Sequence, residues 1–168
     1  MKQVKIQSTT TIHVSKNLDY KDFTATNPDP QNKLKIVADW TRNVVCIKAG
    51  VDYYPAEIAE WDAVKALVET VLQPLRDNWG KPLHINSGYR CPELNKAVGG
   101  KPTSQHLKGE AADVACDKPV ELARLAAAMC LPYDQMIIYP TFVHISHRLK
   151  GQQRAQILYH KSYKGEKV

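Results

Sequence analysis

Apolar positions along this chain follow two rhythms. Between residues 55 and 76, Ile58, Trp61, Val64, Leu67, Val68, Val71, Leu72 and Leu75 recur at three- and four-residue steps. That spacing predicts a helix with one apolar stripe turned to a core. Pro55 suits its first turn, and Pro74 is expected to kink or end it. Elsewhere the rhythm shortens. Leu83–Asn86, Ala111–Ala115, Met136–Tyr139 and Phe142–Ser146 read as short strands, the last two joined by a turn at Pro140 and Thr141. Ile157 and Leu158 suggest a final strand. Asp117 is placed to cap an Ala-rich helix with Pro119 in its first turn, running to about Cys130. The mixed order predicts an α+β domain: a small antiparallel sheet with packed helices.

The front of the chain is less regular. Residues 1–14 alternate loosely through Val4, Ile6, Ile12 and Val14, as short strands would, and residues 24–33 are turn-rich. We divide the chain into an N-terminal extension (1–54) packed on the same domain, a core (55–146) and a basic C-terminal strand or tail (147–168). No internal repeat or low-complexity tract interrupts it.

Composition narrows the function classes. A chain of 168 residues, 43% apolar and 24% charged, suits one globular domain with a sizeable core. No apolar run approaches the roughly 18 residues that span a bilayer. The start lacks the apolar stretch of a secretory signal, so the expectation is cytoplasmic synthesis. Cys46, Cys91, Cys116 and Cys130 form no C-x-x-C pair and are expected to be free thiols. The net charge is +6, and the segment from His147 onward carries six basic residues against Glu166 alone, or +5. Such a tail can hold a polyanion, or simply be a solvated terminus. No motif points to specific nucleic-acid recognition, and a monomer is expected.

The chemistry concentrates in Ser104-Gln105-His106-Leu107-Lys108-Gly109-Glu110-Ala111-Ala112-Asp113, with His144 following in Phe142-Val143-His144-Ile145. Side chains alternate across a strand, so Asp113 shares a face with the small Ala111 and Ala115. If the strands of Asp113 and His144 are neighbours, the two side chains meet, and Gly109 lets the chain turn back to bring His106 to them. Two histidines and one carboxylate can hold a zinc ion and leave a fourth position for water, as catalytic sites do. Each residue also has an ordinary reading: satisfied histidines, and an aspartate bonded to a nearby loop.

Ser87-Gly88-Tyr89-Arg90 and Asn95 through Gly99-Gly100 precede this segment, and Asp134-Gln135 leads to His144. Together these motifs resemble the zinc D-alanyl-D-alanine peptidase family, in particular zinc D-Ala-D-Ala carboxypeptidases and phage-type peptidoglycan endopeptidases. The resemblance runs from about Ala56 to Ser146. It implies the fold shared by these peptidases and the hedgehog signalling domain, one bound zinc ion, and a peptidoglycan peptide as substrate. Carried over by position, His106, Asp113 and His144 are the metal ligands. Arg90 matches an arginine that stabilises the developing oxyanion in related dipeptidases. Ser104 orients the loop or binds substrate, and Asn95 with Gly99 and Gly100 shapes the loop. The missing secretory signal fits a phage-type lysin released to the wall by a separate route.

One element departs from the family. Its members carry a glutamate base shortly before the last histidine, and here Tyr139 stands in that place. Tyr139 is a candidate to assist by hydrogen bonding, and Asp134, Glu110 or His147 a candidate for the base. Two functions stay open: a zinc peptidase acting on stem peptides, or a weak or inactive zinc-containing module that binds a wall peptide or a protein.

Overall fold

The computed structural model describes Lys16 and residues 34–37, 45–48, 51–53, 59–90 and 92–168. The expectations for residues 1–14 and 24–33, and for Pro55 and Ile58, lie outside the described residues. Within the first third, β1 (Leu34–Val37), β2 (Val45–Lys48) and β3 (Val51–Tyr53) form an antiparallel three-stranded sheet that the sequence pattern did not announce.

The apolar stripe becomes α1 (Ala59–Leu67), a π-helical turn (Val68–Leu72) and α2 (Gln73–Trp79). The helix therefore does not end at Pro74. A proline has no N–H, and its ring crowds the carbonyl four residues back. Here the chain widens by one residue just before it: the Gln73 N–H reaches the Val68 carbonyl, five positions earlier. Pro74 then sits in the first turn of a fresh α segment, where its missing donor costs little. Gly80, at φ 71°, closes the helix by donating to the Arg76 carbonyl at 3.2 Å. Leu67, Val68, Val71, Leu72 and Leu75 are fully buried.

After β4 (His84–Ser87) come α3 (Pro92–Ala97), a 3-10 turn (Gln105–Lys108), β5 (Ala111–Ala115) and α4 (Pro119–Ala128). The capping expectation for α4 fails. Lys118, not Asp117, stands at its start, and no side chain caps it. The strands β6 (Gln135–Ile138), β7 (Phe142–Ser146) and β8 (Gln156–Tyr159) complete a five-stranded sheet of order β4-β5-β7-β6-β8. Four strands pair antiparallel as expected, but β8 runs parallel to β6, so the sheet is mixed. The loop 147–155 leaves β7 and enters β8 at the same end of the sheet, which forces that direction.

One face of this sheet is core. Ala112, Val114, Met136, Ile138, Val143 and Ile145 are fully buried, and they pack in one cluster with the apolar residues of α1, α2 and α4. At about 25 cal/mol per Å² of apolar area, this cluster is the main stabilising element of the domain. The alternate residues of the same strands stand on the other face, which carries the chemistry.

Candidate metal centre

The pairing register builds the site. Asp113 on β5 lies opposite His144 on β7 and, across the other edge, opposite Ser87 on β4. Alternation puts all three side chains on the open face. His106 arrives from the 3-10 turn after Ser104, whose hydroxyl accepts the His106 N–H at 3.4 Å. Gly109 then reverses the chain at φ 69°. A side chain there would collide with the Glu60 carbonyl of α1, so the turn needs glycine for both its angle and its space. Asn95 supports the loop that leads to this turn: its side-chain amide donates to the Lys101 carbonyl at 2.9 Å, and its main-chain carbonyl accepts the Gly100 N–H at 2.7 Å.

Three ligand atoms converge. His106 Nε2 lies 3.2 Å from both Asp113 Oδ1 and His144 Nδ1, and His144 Nδ1 lies 2.9 Å from Asp113 Oδ1. A tetrahedral zinc site with bonds of 2.0–2.1 Å has ligand–ligand edges of about 3.3 Å, so the triangle has nearly the right size. The protonation pattern fits as well. A carbonyl only accepts, so His106 Nδ1, 2.6 Å from the Gly88 carbonyl, is the N–H donor and Nε2 carries a lone pair. Burial pushes the His106 pKa down, favouring this neutral ring, with Asp113 pulling the other way. A lone pair, a carboxylate oxygen and a second imidazole nitrogen thus face one another with at most one proton to share. A cation satisfies all three.

The other carboxylate oxygen is already held. Arg90 Nη2 donates to Asp113 Oδ2 at 2.8 Å, while its Nε donates to the Ser87 hydroxyl at 2.8 Å and its main-chain N–H to the His106 carbonyl at 3.0 Å. Burial pushes Asp113 up, but its close contacts with the His106 and His144 rings outweigh that and keep it ionised well below the usual carboxylate range. Tyr139 follows β6 on the same face. Its ring stacks on Phe142 at 4.1 Å and on His160 at 4.4 Å between centroids. Burial first, then the Asp113 charge, raises the Tyr139 phenol, and Arg90 lowers it. The hydroxyl is therefore within electrostatic reach of both and stays protonated near neutrality.

The remaining candidates sit in other networks. Asp134 is fully buried, and its oxygens take Arg148 Nε at 3.0 Å, the Arg154 guanidinium and main-chain N–H, and Gln105 Nε2 at 3.1 Å. Burial opposes this ionised state, yet the Arg154 hydrogen bonds and charge hold the carboxyl well below its ordinary value. Glu110 Oε1 accepts the Leu149 N–H at 3.1 Å, and His147 Nδ1 donates to the Pro132 carbonyl at 2.6 Å. Sequence reasoning missed Gly88, Gln105, Arg148, Arg154 and His160. For His160 a signal existed: it continues the alternation of Gln156 and Leu158.

One comparison with known proteins bears on this chain. A family profile described as Peptidase M15 matches residues 33–146. The chain belongs to the Peptidase M15 family. The match begins at Lys33 rather than near Ala56, so this M15 chain carries β1–β3 inside the matched region. A search of the curated proteins finds no match. No helix among the described residues of this M15 peptidase is long and apolar enough to cross a membrane. Cys116 is half-buried, Cys130 is exposed, and both are free thiols.

Proposed function

We propose that the chain is a zinc-dependent peptidase that hydrolyses peptidoglycan stem peptides, as a D-Ala-D-Ala carboxypeptidase or an endopeptidase. The observation that carries this reading is the triangle of His106 Nε2, Asp113 Oδ1 and His144 Nδ1, set on the open face of the sheet beside Arg90 and Tyr139. Zinc held by these three residues would supply a Lewis acid for the scissile carbonyl and an attacking water of lowered pKa.

The chain's own residues set up the rest. The Gly88 carbonyl selects the His106 tautomer and holds the ring in place. Arg90 takes Asp113 Oδ2 and leaves Oδ1 for ligand duty. Its guanidinium has five N–H donors, so others remain to hold charge that develops on the substrate oxygen. The protonated Tyr139 hydroxyl donates to that oxygen or to the leaving nitrogen, in the place of the family's glutamate. Ser104 orients the ligand turn. With its oxygens taken up by two arginines and Gln105, Asp134 is assigned to support rather than proton transfer.

A second reading, a wall-peptide-binding module of little activity, is favoured by one observation: the carboxylates of Glu110 and Asp134 are engaged elsewhere. One assay separates the two. Incubation of the purified protein with sacculi, with and without chelator, should give chelator-sensitive loss of terminal D-Ala or a cut stem, read by mass spectrometry of the muropeptides. Unchanged muropeptides at high loading, together with retained binding to sacculi, would establish the second reading.

A further inference from the structure

The open face continues past the metal centre as a grid set by the strand register. One row across the sheet holds Ser87, Asp113, His144, Ile137 and Leu158. The next row holds Ala115, Phe142, Tyr139 and His160, the last two each one residue beyond the final register pair. On the opposite side lie Ser146, Gln135 and Gln156. Walking from His144 towards the edge strand β8, the floor is Ile137, partly exposed, and Leu158, 43% exposed. One wall is the three-ring stack of Phe142, Tyr139 and His160, with interplanar angles of 12° and 19°. The other is the amide pair Gln135–Gln156, joined at 3.2 Å. A trough with an apolar floor, an aromatic wall and an amide wall thus leads from the metal ligands to the sheet edge.

His160 is the outermost ring of that wall, and its polarity is defined. The Ser162 main-chain N–H points at its Nδ1 from 3.3 Å, and the Ser162 hydroxyl lies 2.7 Å from the same atom. A main-chain N–H can only donate, so Nδ1 accepts and the proton of the neutral ring sits on Nε2. Among the described residues nothing pairs with that Nε2. Stacking on Tyr139 and the Ser162 clamp fix the ring, so Nε2–H is an oriented donor with no partner among the described residues.

The distance says what reaches it. Two strand spacings of about 4.8 Å and one row of about 6.8 Å place His160 roughly 12 Å from the metal ligands, and an extended peptide advances about 3.3 Å per residue. We propose that the trough seats the substrate peptide on one side of the scissile bond, with His160 Nε2 donating to a main-chain carbonyl three to four residues from that bond. His160 is then a specificity-determining residue, and the substrate class is an extended stem peptide rather than an isolated dipeptide. This inference rests on the peptidase reading above.

The test uses the zinc-loaded full chain and stem-type peptides built on a D-Ala-D-Ala unit, lengthened one residue at a time from either end. Binding is measured by calorimetry on analogues with a reduced scissile bond, and KM and kcat on the cleavable peptides. In the wild type, affinity should step up when the third or fourth residue is added on one side. His160→Ala should remove that step, raising KM for the longer peptides about three- to tenfold relative to the shortest one, the worth of one hydrogen bond. His160→Gln, which keeps an N–H donor, should restore part of the step. Identical length dependence in wild type and both variants, or no step from either end, would overturn the proposal. A step that survives in binding while no peptide is cleaved would instead sink the peptidase reading and leave the trough standing.

Discussion

Asp113 and Asp134 are both carboxylates withdrawn from solvent, both paired with arginine, and both held in their ionised form. They differ in what the remaining oxygen meets. Asp134 is saturated: Arg148, Arg154 and Gln105 supply donors to its oxygens. Asp113 spends Oδ2 on Arg90, while Oδ1 faces the lone pair of His106 and the ring of His144. A carboxylate surrounded by donors is a rivet. One turned towards other acceptors is half of a cation site. The contrast shows that burial and a low pKa do not identify a catalytic acid by themselves; the partner atoms decide.

The largest expected effect is on the open side of that contrast. His106→Ala or Asp113→Ala should lose more than about 100-fold in zinc affinity, beyond the 10–100-fold typical of an outer-sphere change. Elemental analysis of the wild type should find about one zinc per chain, and full retention in both variants would break the assignment. Next, Arg90→Ala should lower kcat by about 10²–10³ if its free donors serve the developing oxyanion. Zinc content measured in parallel separates that role from simple loosening of Asp113. Tyr139→Phe keeps the ring stack and removes only the hydroxyl. A fall in kcat of about 10²-fold with little change in zinc content is expected, and an unchanged kcat would exclude Tyr139 as proton donor.

The smallest effect lies on the saturated side. Asp134→Asn should keep its zinc and cost about 2 kcal/mol in urea unfolding, discounted because both arginines are more than a third exposed. The sign with pH follows from the direction of the shift. A carboxyl held below its ordinary value of about 3.9 stabilises the fold above that pH and loses the contribution as pH falls towards the folded value. The stability gap between wild type and Asp134→Asn should therefore be full near neutrality and shrink below about pH 4. A gap that persists unchanged in acid would show that Asp134 acts through packing rather than charge.

How much of this was legible beforehand varies with the reach of the interactions. β5 and β7 were readable to the residue, because strand alternation and the Pro140-Thr141 turn are local signals. The π-helical turn that carries the helix past Pro74 was not, since it is stabilised by burial of Val68, Val71 and Leu72 against distant strands. The N-cap of α4 failed for a similar reason: Lys118 sets the start, its N–H meeting Cys116 Sγ at 3.3 Å, rather than a capping carboxylate at Asp117. The order of β8 was also out of reach, because parallel pairing with β6 depends on where the 147–155 loop re-enters the sheet.

For the site, the sequence by itself determined the types and spacing of the candidate ligands, through residue identity and the period of a strand, and the resemblance to the family exposed the absent glutamate. Only the tertiary structure decided that donors saturate Asp134 while Asp113 turns Oδ1 to two histidine rings, that Gly88 sets the His106 tautomer, and that Tyr139 and His160 stack beside the candidate ligands. Those facts depend on side-chain atoms from segments far apart in the chain approaching within about 3–4 Å, and only the folded packing brings them that close.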